Sequence, residues 1–359
     1  MFLYFSIFLS LAFLSFLEIF GLINKIKSRL FILVSIILFC LSFLRWNTGT
    51  DWQTYFEFFN NSESFLQESD FEWGFARINE FVKIIFNNYT ILLFILGFIL
   101  FTFQSIAILK LSPLPITSLF ILWASSFANI FFIRQSISTV ILLYSIQFIQ
   151  NKKLLNFLFC ILLAYLFHRT SLIFIIAWFI YNINIKYYKM LIIIAISIFI
   201  ASLISYFLNI FGGLLGGVID QKISLYLADS TNTMGSNVSL SEIIFKGFIN
   251  KILILFICLL FINQYKKNFI FKGYVNLYWF GIVIYFSTIS LSIALIRFSF
   301  PFDVTAIILI PIFFINLKNN MHRLFLFSFL FLYLGVRHYS VIVSNYYDLY
   351  VPYKSIFSN

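Results

Sequence analysis

Charge is what this sequence has least of: Asp, Glu, Lys and Arg make up 10% of its 359 residues, where an ordinary soluble domain carries about a quarter. A soluble globule needs charged groups over its surface, so that class is excluded. Cysteine is nearly absent. Cys40, Cys160 and Cys258 each sit alone in an apolar run without a partner at disulfide or metal-ligand spacing, and they read as small core residues with no redox role. The three histidines form no zinc-spaced pair with a carboxylate, and no acidic pair has the form of a divalent-metal motif. Neither a metal nor another cofactor is expected. Alternation of polar and apolar residues is missing, which excludes a membrane β-barrel. The net charge of +11 does not point to nucleic acid, because the basic residues are scattered singly and in pairs between apolar runs.

What is abundant is apolar: 62% of residues are hydrophobic and 22% aromatic, and the mean hydropathy is +1.00. Backbone groups in lipid must find partners within their own segment, so these runs predict an all-α, polytopic integral membrane protein. We place spans at residues 2–24, 30–44, 91–109, 114–132, 135–150, 154–167, 170–184, 190–211, 243–263, 274–295, 303–317 and 324–343. The expected count is therefore about twelve, within a range of roughly 10 to 13, and those shorter than about 17 residues are expected to be tilted, broken or re-entrant. The first run, Phe2 to Ile23, lacks a basic leader and a small-residue cleavage site, and reads as a retained span. Residues 1–359 are expected to form a single transmembrane domain.

Orientation follows from Lys and Arg in the short connections. One set of alternate connections holds Lys25, Lys27, Arg29, Lys110, Lys152, Lys153, Lys186, Lys189, Lys266, Lys267, Lys272, Lys318 and Arg323, and reads as cytoplasmic. The carboxylates fall on the opposite side: Asp51, Glu57, Glu63, Glu68, Asp70, Glu72 and Glu80 in an outer loop over 45–90, and Asp220, Asp229 and Glu242 in a second over 212–242. Within the first loop Phe71, Phe75, Ile78, Val82 and Ile85 recur at three-to-four spacing, which predicts an amphipathic helix lying on the outer membrane surface. The second loop is rich in Gly, Ser, Thr and Asn and is expected to be flexible.

Against this apolar background the polar exceptions stand out. Six arginines, Arg45, Arg77, Arg134, Arg169, Arg297 and Arg337, fall on the outer side, where the positive-inside rule does not place them. As a set they suit a lipid phosphate or pyrophosphate, whose oxygens match the guanidinium fork. Singly, each has a plainer reading, such as an ion pair of Arg297 with Asp303 or snorkelling to headgroups. His168, with Arg169 and Thr170, interrupts an apolar run. It can donate a hydrogen bond, take a proton, bind a phosphate oxygen, or simply satisfy a helix turn. Asp51 is either a general base for a hydroxyl or the ion-pair partner of Arg45, with Gly49 permitting the turn between them. Trp46, Trp52, Tyr55, Trp73 and Phe75 offer stacking faces for sugar rings, or an interfacial aromatic belt. Glu18, in the middle of the first span, requires an interhelical hydrogen bond or a proton.

In chain order, Arg45-Trp-Asn-Thr-Gly49-Thr-Asp51-Trp-Gln-Thr-Tyr55, Glu72-Trp-Gly74-Phe75, Arg134-Gln135, Phe167-His168-Arg169-Thr170-Ser171 and Arg297 ahead of a helix containing Pro311 resemble the EpsG-like branch of the Wzy-type polysaccharide polymerases. The resemblance implies a metal-independent glycosyltransferase on the outer face of the bacterial inner membrane. It would join undecaprenyl-pyrophosphate-linked oligosaccharides, donor and acceptor alike, into O-antigen, capsule or exopolysaccharide. Membrane lipids and a chain-length-regulating co-polymerase are the other partners implied. Carried over, Arg45, Arg134, Arg169 and Arg297 would clamp pyrophosphate, and Asp51 or His168 would activate or orient the acceptor hydroxyl. Arg337, Tyr55, Trp52 and Glu72 complete the expected binding set. An O-antigen ligase shares the donor and the arginine logic. A lipid-linked oligosaccharide flippase would want charge along a central path, and a membrane acyltransferase a histidine–carboxylate site open to the cytoplasm.

Overall fold

The computed structural model describes residues 1–61, 71–131, 133–215, 244–245, 247–260, 268–289, 293–343 and 347–358, with the backbone alone at 201–202, 204–215, 260 and 293–294. Glu63, Glu68, Asp70, most of the 212–242 loop with Asp220, Asp229 and Glu242, and Lys266 and Lys267 lie outside the described residues. Among those described there is no strand, and one isolated antiparallel bridge joins Arg45 to Ser355.

The chain divides into two compact units, Met1–Leu172 with Ile307–Asn359, and Ile173–Ala306. The first begins with α1 (Phe2–Ile19), α2 (Lys27–Phe43), α3 (Trp52–Asn61), α4 (Trp73–Ile85), α5 (Tyr89–Leu111), α6 (Pro115–Ser126), α7 (Ile133–Gln150) and α8 (Leu154–Tyr165). The second holds α9 (Ala177–Ile180), α10 (Tyr187–Leu215), α11 (Leu253–Leu260), α12 (Phe269–Thr288), α13 (Ile293–Ile296) and α14 (Phe300–Asp303). After α15 (Ala306–Asn316), which spans the boundary, the first unit closes with α16 (Asn320–Ile342) and α17 (Tyr347–Tyr350). In the first unit α5 packs on α7 and α2, α7 on α8, and α6 on α1 and α16; in the second, α12 packs on α10 and α14.

Five helical segments among the described residues are long and apolar enough to cross a membrane: Phe2–Ile19, Tyr89–Leu111, Phe269–Thr288, Arg297–Asn316 and Asn320–Ile342. Leu154–Tyr165, Arg169–Ile180, Tyr187–Ile200 and Phe248–Leu259 are shorter apolar helices. Three expected spans are interrupted. The first stops at Ile19, where Gly21 turns the chain at φ 76°. The run from 170 is a 3-10 helix over Arg169–Ile176 followed by the single turn of α9. The run from 114 stops at Ser126 because Phe127, Ala128 and Asn129 all adopt left-handed φ values of 52°, 50° and 68°. Such a conformation costs an L-residue about 1–2 kcal/mol. Phe127 and Ala128 are completely buried, so packing on every side holds them there.

That interruption leaves α6 as a short helix with both ends needing partners. At its start, Pro115 supplies no amide hydrogen, and Glu18 accepts from the next two amides: Oε1 from Ile116 N–H at 3.2 Å and Oε2 from Thr117 N–H at 2.8 Å. Oε2 also accepts from the Thr117 hydroxyl at 2.8 Å. Glu18 therefore lies in the last turn of α1 rather than mid-span, and it makes the interhelical hydrogen bonds its isolation demanded. Replacing Glu18 with Ala strands two amides and a hydroxyl. We expect a loss of about 2–3 kcal/mol, read as a lower thermal midpoint in detergent. Glu18→Gln, which keeps one acceptor oxygen, should lose clearly less.

Candidate functional site

The segment from Arg45 to Asp51 joins α2 to α3 and is pinned by chain three hundred or more positions away. Trp46 N–H donates to Lys354 O at 2.9 Å, Gly49 N–H to Leu349 O at 2.8 Å, and Ile356 N–H to Leu44 O at 2.9 Å. The Thr48 hydroxyl accepts from Lys354 N–H at 3.1 Å, and the Tyr353 hydroxyl donates to Leu41 O at 2.7 Å. Gly49 has φ 109°, and a Cβ there would stand 3.2 Å from the Phe131 ring, so both the conformation and the space call for glycine.

Arg45 is completely buried. Its Nη1 donates to Ile130 O, the carbonyl that follows the left-handed turn, and its guanidinium lies 5.7 Å from the Phe131 ring centroid. Nε and Nη2 make no hydrogen bond among the described residues. Burial pulls the pKa of Arg45 below its ordinary value, against the opposing charge of Asp51 and the nearby hydroxyls of Tyr89, Tyr353 and Tyr55. Asp51 is not its ion-pair partner. The two Asp51 oxygens accept instead from hydroxyls, Oδ2 from Tyr55 at 3.0 Å and Oδ1 from Thr50 at 3.2 Å.

From Asp51 a continuous chain of hydrogen bonds runs through four segments of the first unit. The Tyr55 hydroxyl accepts from Arg134 Nε at 3.0 Å. Arg134 Nη1 donates to Glu72 Oε2 at 2.6 Å, and Glu72 Oε1 accepts from Arg169 N–H at 3.2 Å. The Arg134 guanidinium also lies 4.4 Å from the centroid of Phe71, and within 5.6 Å of those of Tyr55 and Phe75. Glu72 reaches this position because α4 touches the turn after α8: Gly74 N–H donates to Leu166 O at 2.8 Å, and a Cβ on Gly74 would stand 2.7 Å from that oxygen. Burial pushes the Tyr55 hydroxyl well above its ordinary pKa, and the neighbouring Asp51 charge adds to this, so it remains a protonated donor to Asp51.

His168 and Arg169 follow directly. Nδ1 of His168 lies 2.7 Å from the Thr170 hydroxyl and accepts from Thr170 N–H at 3.4 Å. Arg169 is exposed, and its side chain makes no hydrogen bond or ion pair among the described residues. The remaining expected residues fall elsewhere. Trp52 is 3% exposed, stacked on Phe56 with centroids 4.8 Å apart and edge-on to Trp46 and Tyr89. Its ring faces protein. Arg77 pairs with Glu80 at 2.7 Å, one turn along α4. Arg337 is half-buried on α16 of the first unit, and Arg297 belongs to the second unit. The amphipathic helix is present as α4, with Phe75, Ala76, Asn79 and Val82 buried and Trp73, Phe81, Ile84 and Ile85 exposed.

A family model described as the EpsG family matches residues 28–355. The chain belongs to the EpsG family. Membership, together with the apolar helices, makes it a multi-pass membrane protein and points to the polysaccharide-polymerase type. No curated protein and no solved structure matches it. All the motifs that carried the resemblance lie within the matched stretch, as does most of the segment around Tyr353 that pins Arg45 to Gly49.

Sequence reasoning missed the part of the site supplied by residues 349–356 and by the Ile130 carbonyl. Asn129, a residue type that tolerates left-handed φ, is the one signal that marked the turn. The coupling of Glu72 with Arg134 is directly measurable. Each change to Ala should cost about 2–3 kcal/mol, because it leaves the other charge largely buried without its partner, while the double change should cost little more than either alone. Additive losses would show that the two are not coupled.

Proposed function

We propose that this EpsG-family protein is a repeat-unit polymerase of a surface polysaccharide, working on the outer face of the bacterial cytoplasmic membrane. A hydroxyl of one undecaprenyl-pyrophosphate-linked oligosaccharide attacks the anomeric carbon of another. The bond from that carbon to the pyrophosphate oxygen breaks, undecaprenyl pyrophosphate leaves with the electron pair, and the hydroxyl proton passes to a base. About twelve spans and an α4 that rests its exposed Trp73, Phe81 and Ile84 on the lipid surface belong to this reading. So does the joining of both units into one transmembrane domain.

The observation that carries the proposal is the chain of hydrogen bonds from Asp51 through Tyr55, Arg134 and Glu72 to Arg169. It ties the Asp51 carboxylate to the Arg134 guanidinium and reaches the backbone of Arg169, and a carboxylate beside positive charge is what the reaction needs. Asp51 is the base. His168, whose Nδ1 lies 2.7 Å from the Thr170 hydroxyl, orients the acceptor hydroxyl. Arg134 is already neutralised by Glu72 and serves mainly to position. Arg169, exposed and without a carboxylate among the described residues, is the one that grips pyrophosphate. Arg45, sealed from solvent, acts through the Ile130 carbonyl and the Gly49 turn.

Because the exposed Arg169 side chain makes no hydrogen bond or ion pair among the described residues, it separates function from stability. Arg169→Ala should reduce long-chain polymer by about a hundredfold at unchanged membrane abundance, and Arg169→Lys should recover little, having lost the bidentate fork. A deletion strain should carry a single repeat unit on its surface acceptor instead of a ladder. A ladder of normal length in the deletion strain would sink the polymerase assignment, and loss of even the single unit would favour a flippase or ligase.

A further inference from the structure

The two helices between α2 and α5 turn different chemistry outward. On α4 the exposed side chains include Trp73, Phe81, Ile84 and Ile85, which suit lipid. On α3 they are Gln53, Thr54, Glu57, Asn60 and Asn61, spaced so that all five share one face, while Trp52, Tyr55 and Phe59 bury the opposite one. The α3 face carries no lysine or arginine and no exposed large apolar side chain. It therefore has nothing to offer a phosphate or an acyl chain. In a protein this apolar, an outward face built of amides, hydroxyls and one carboxylate calls for a ligand of the same kind.

Gln53 Nε2 donates to Glu57 Oε1 at 2.6 Å, one turn along this face. An amide and a carboxylate joined in this way keep a second N–H and further acceptor lone pairs. Adjacent sugar hydroxyls, each both donor and acceptor, match that pattern, and side chains already held by one another lose less freedom on binding. The face starts beside the proposed base. Thr54 follows Asp51 by three residues, and on the same turn the Tyr55 hydroxyl donates to Asp51 Oδ2 at 3.0 Å. Each Asp51 oxygen accepts from one hydroxyl, which leaves lone pairs for another. The helix is 10 residues long, which is about 15 Å, the reach of a short oligosaccharide and more than a single sugar needs.

We propose that the exposed face of α3 is a saccharide subsite, in which Gln53, Thr54 and Glu57 hold hydroxyls of the acceptor oligosaccharide and lead one of them to Asp51. The subsite rests on the polymerase reading and deepens it, because it assigns the two parts of the substrate to different chemistry. A cation grips the pyrophosphate. The sugars lie on neutral and anionic groups, and the Glu57 carboxylate repels a pyrophosphate placed there by mistake.

The test uses the full-length protein in phospholipid nanodiscs, which bring no sugar headgroup of their own, and two probes. One is the free repeat-unit oligosaccharide, released by mild acid from the strain's own lipid-linked intermediates and titrated by saturation-transfer NMR; the other is inorganic pyrophosphate, titrated by calorimetry. Gln53→Ala and Glu57→Ala should each weaken oligosaccharide binding by about tenfold, the loss of one or two hydrogen bonds, and leave pyrophosphate binding unchanged. Glu57→Gln keeps an acceptor oxygen and should bind the oligosaccharide within about threefold of the wild type. Both side chains are exposed, so the thermal midpoint should not move. Undiminished oligosaccharide affinity in the two Ala variants overturns the subsite, as does a wild type that does not bind the oligosaccharide. A parallel fall in pyrophosphate affinity or thermal midpoint overturns it too, because that marks a role in the fold. Unchanged oligosaccharide affinity beside a collapsed glycan ladder in the deletion strain removes the subsite alone and leaves the polymerase reading intact, whereas a normal ladder there removes both.

Discussion

A helix that ends inside an apolar environment must have its first amides and last carbonyls paired, and water is not available to do it. Much of the first unit follows from how α6 meets that constraint. Its first amides are taken by Glu18 from α1, and the carbonyl of Ile130, just beyond the left-handed turn that ends it, is taken by Arg45. Both side chains are ionisable and nearly sealed from solvent. The left-handed residues 127–129 stop the helix early enough to bring Phe131 against Gly49 and Arg134 against Tyr55. The polar network is thus built on a helix break, and it inherits the geometry of that break.

The arginines that look alike in sequence have different surroundings. Arg77 is paired along its own helix, Arg134 is held by Glu72 and three aromatic rings, and Arg45 is used on a carbonyl. Arg169 and Arg297 make no such pairing among the described residues. The distinction is physical. A guanidinium already satisfied by a carboxylate gains little from a phosphate, whereas one left unmatched in a low-dielectric setting gains a great deal.

Much of this was legible from the chain itself. Apolar runs without alternation gave the helical, membrane-embedded class, three-to-four spacing gave α4, and the isolation of Glu18 gave its interhelical bonds. The family was legible from short motifs at the right order along the chain. Three things were hidden. The helix breaks were hidden because Phe127 and Ala128 carry no turn signal, and tertiary packing alone forces them left-handed. The identity of each arginine's partner was hidden because pairing across hundreds of residues leaves no local trace: the obvious neighbours, Asp51 for Arg45 and Asp303 for Arg297, are engaged elsewhere. Trp52 read as a sugar platform or as part of an interfacial aromatic belt, and its burial among Trp46, Phe56 and Tyr89 could not be told from its type alone.

The strip of residues 349–356 that clasps Arg45 to Gly49 also sets an order of events. The clasped segment emerges and inserts early, while its partner is translated some three hundred residues later. Until then Gly49 N–H and the backbone of Trp46 have no acceptors, and the turn that carries Asp51 has no fixed shape. Contacts of such long sequence separation are the slowest to form. Synthesis therefore delivers a chain whose helices are in place before its polar network is, and the strip at 349–356 acts as a closing stitch that completes that network only once some three hundred further residues have been made.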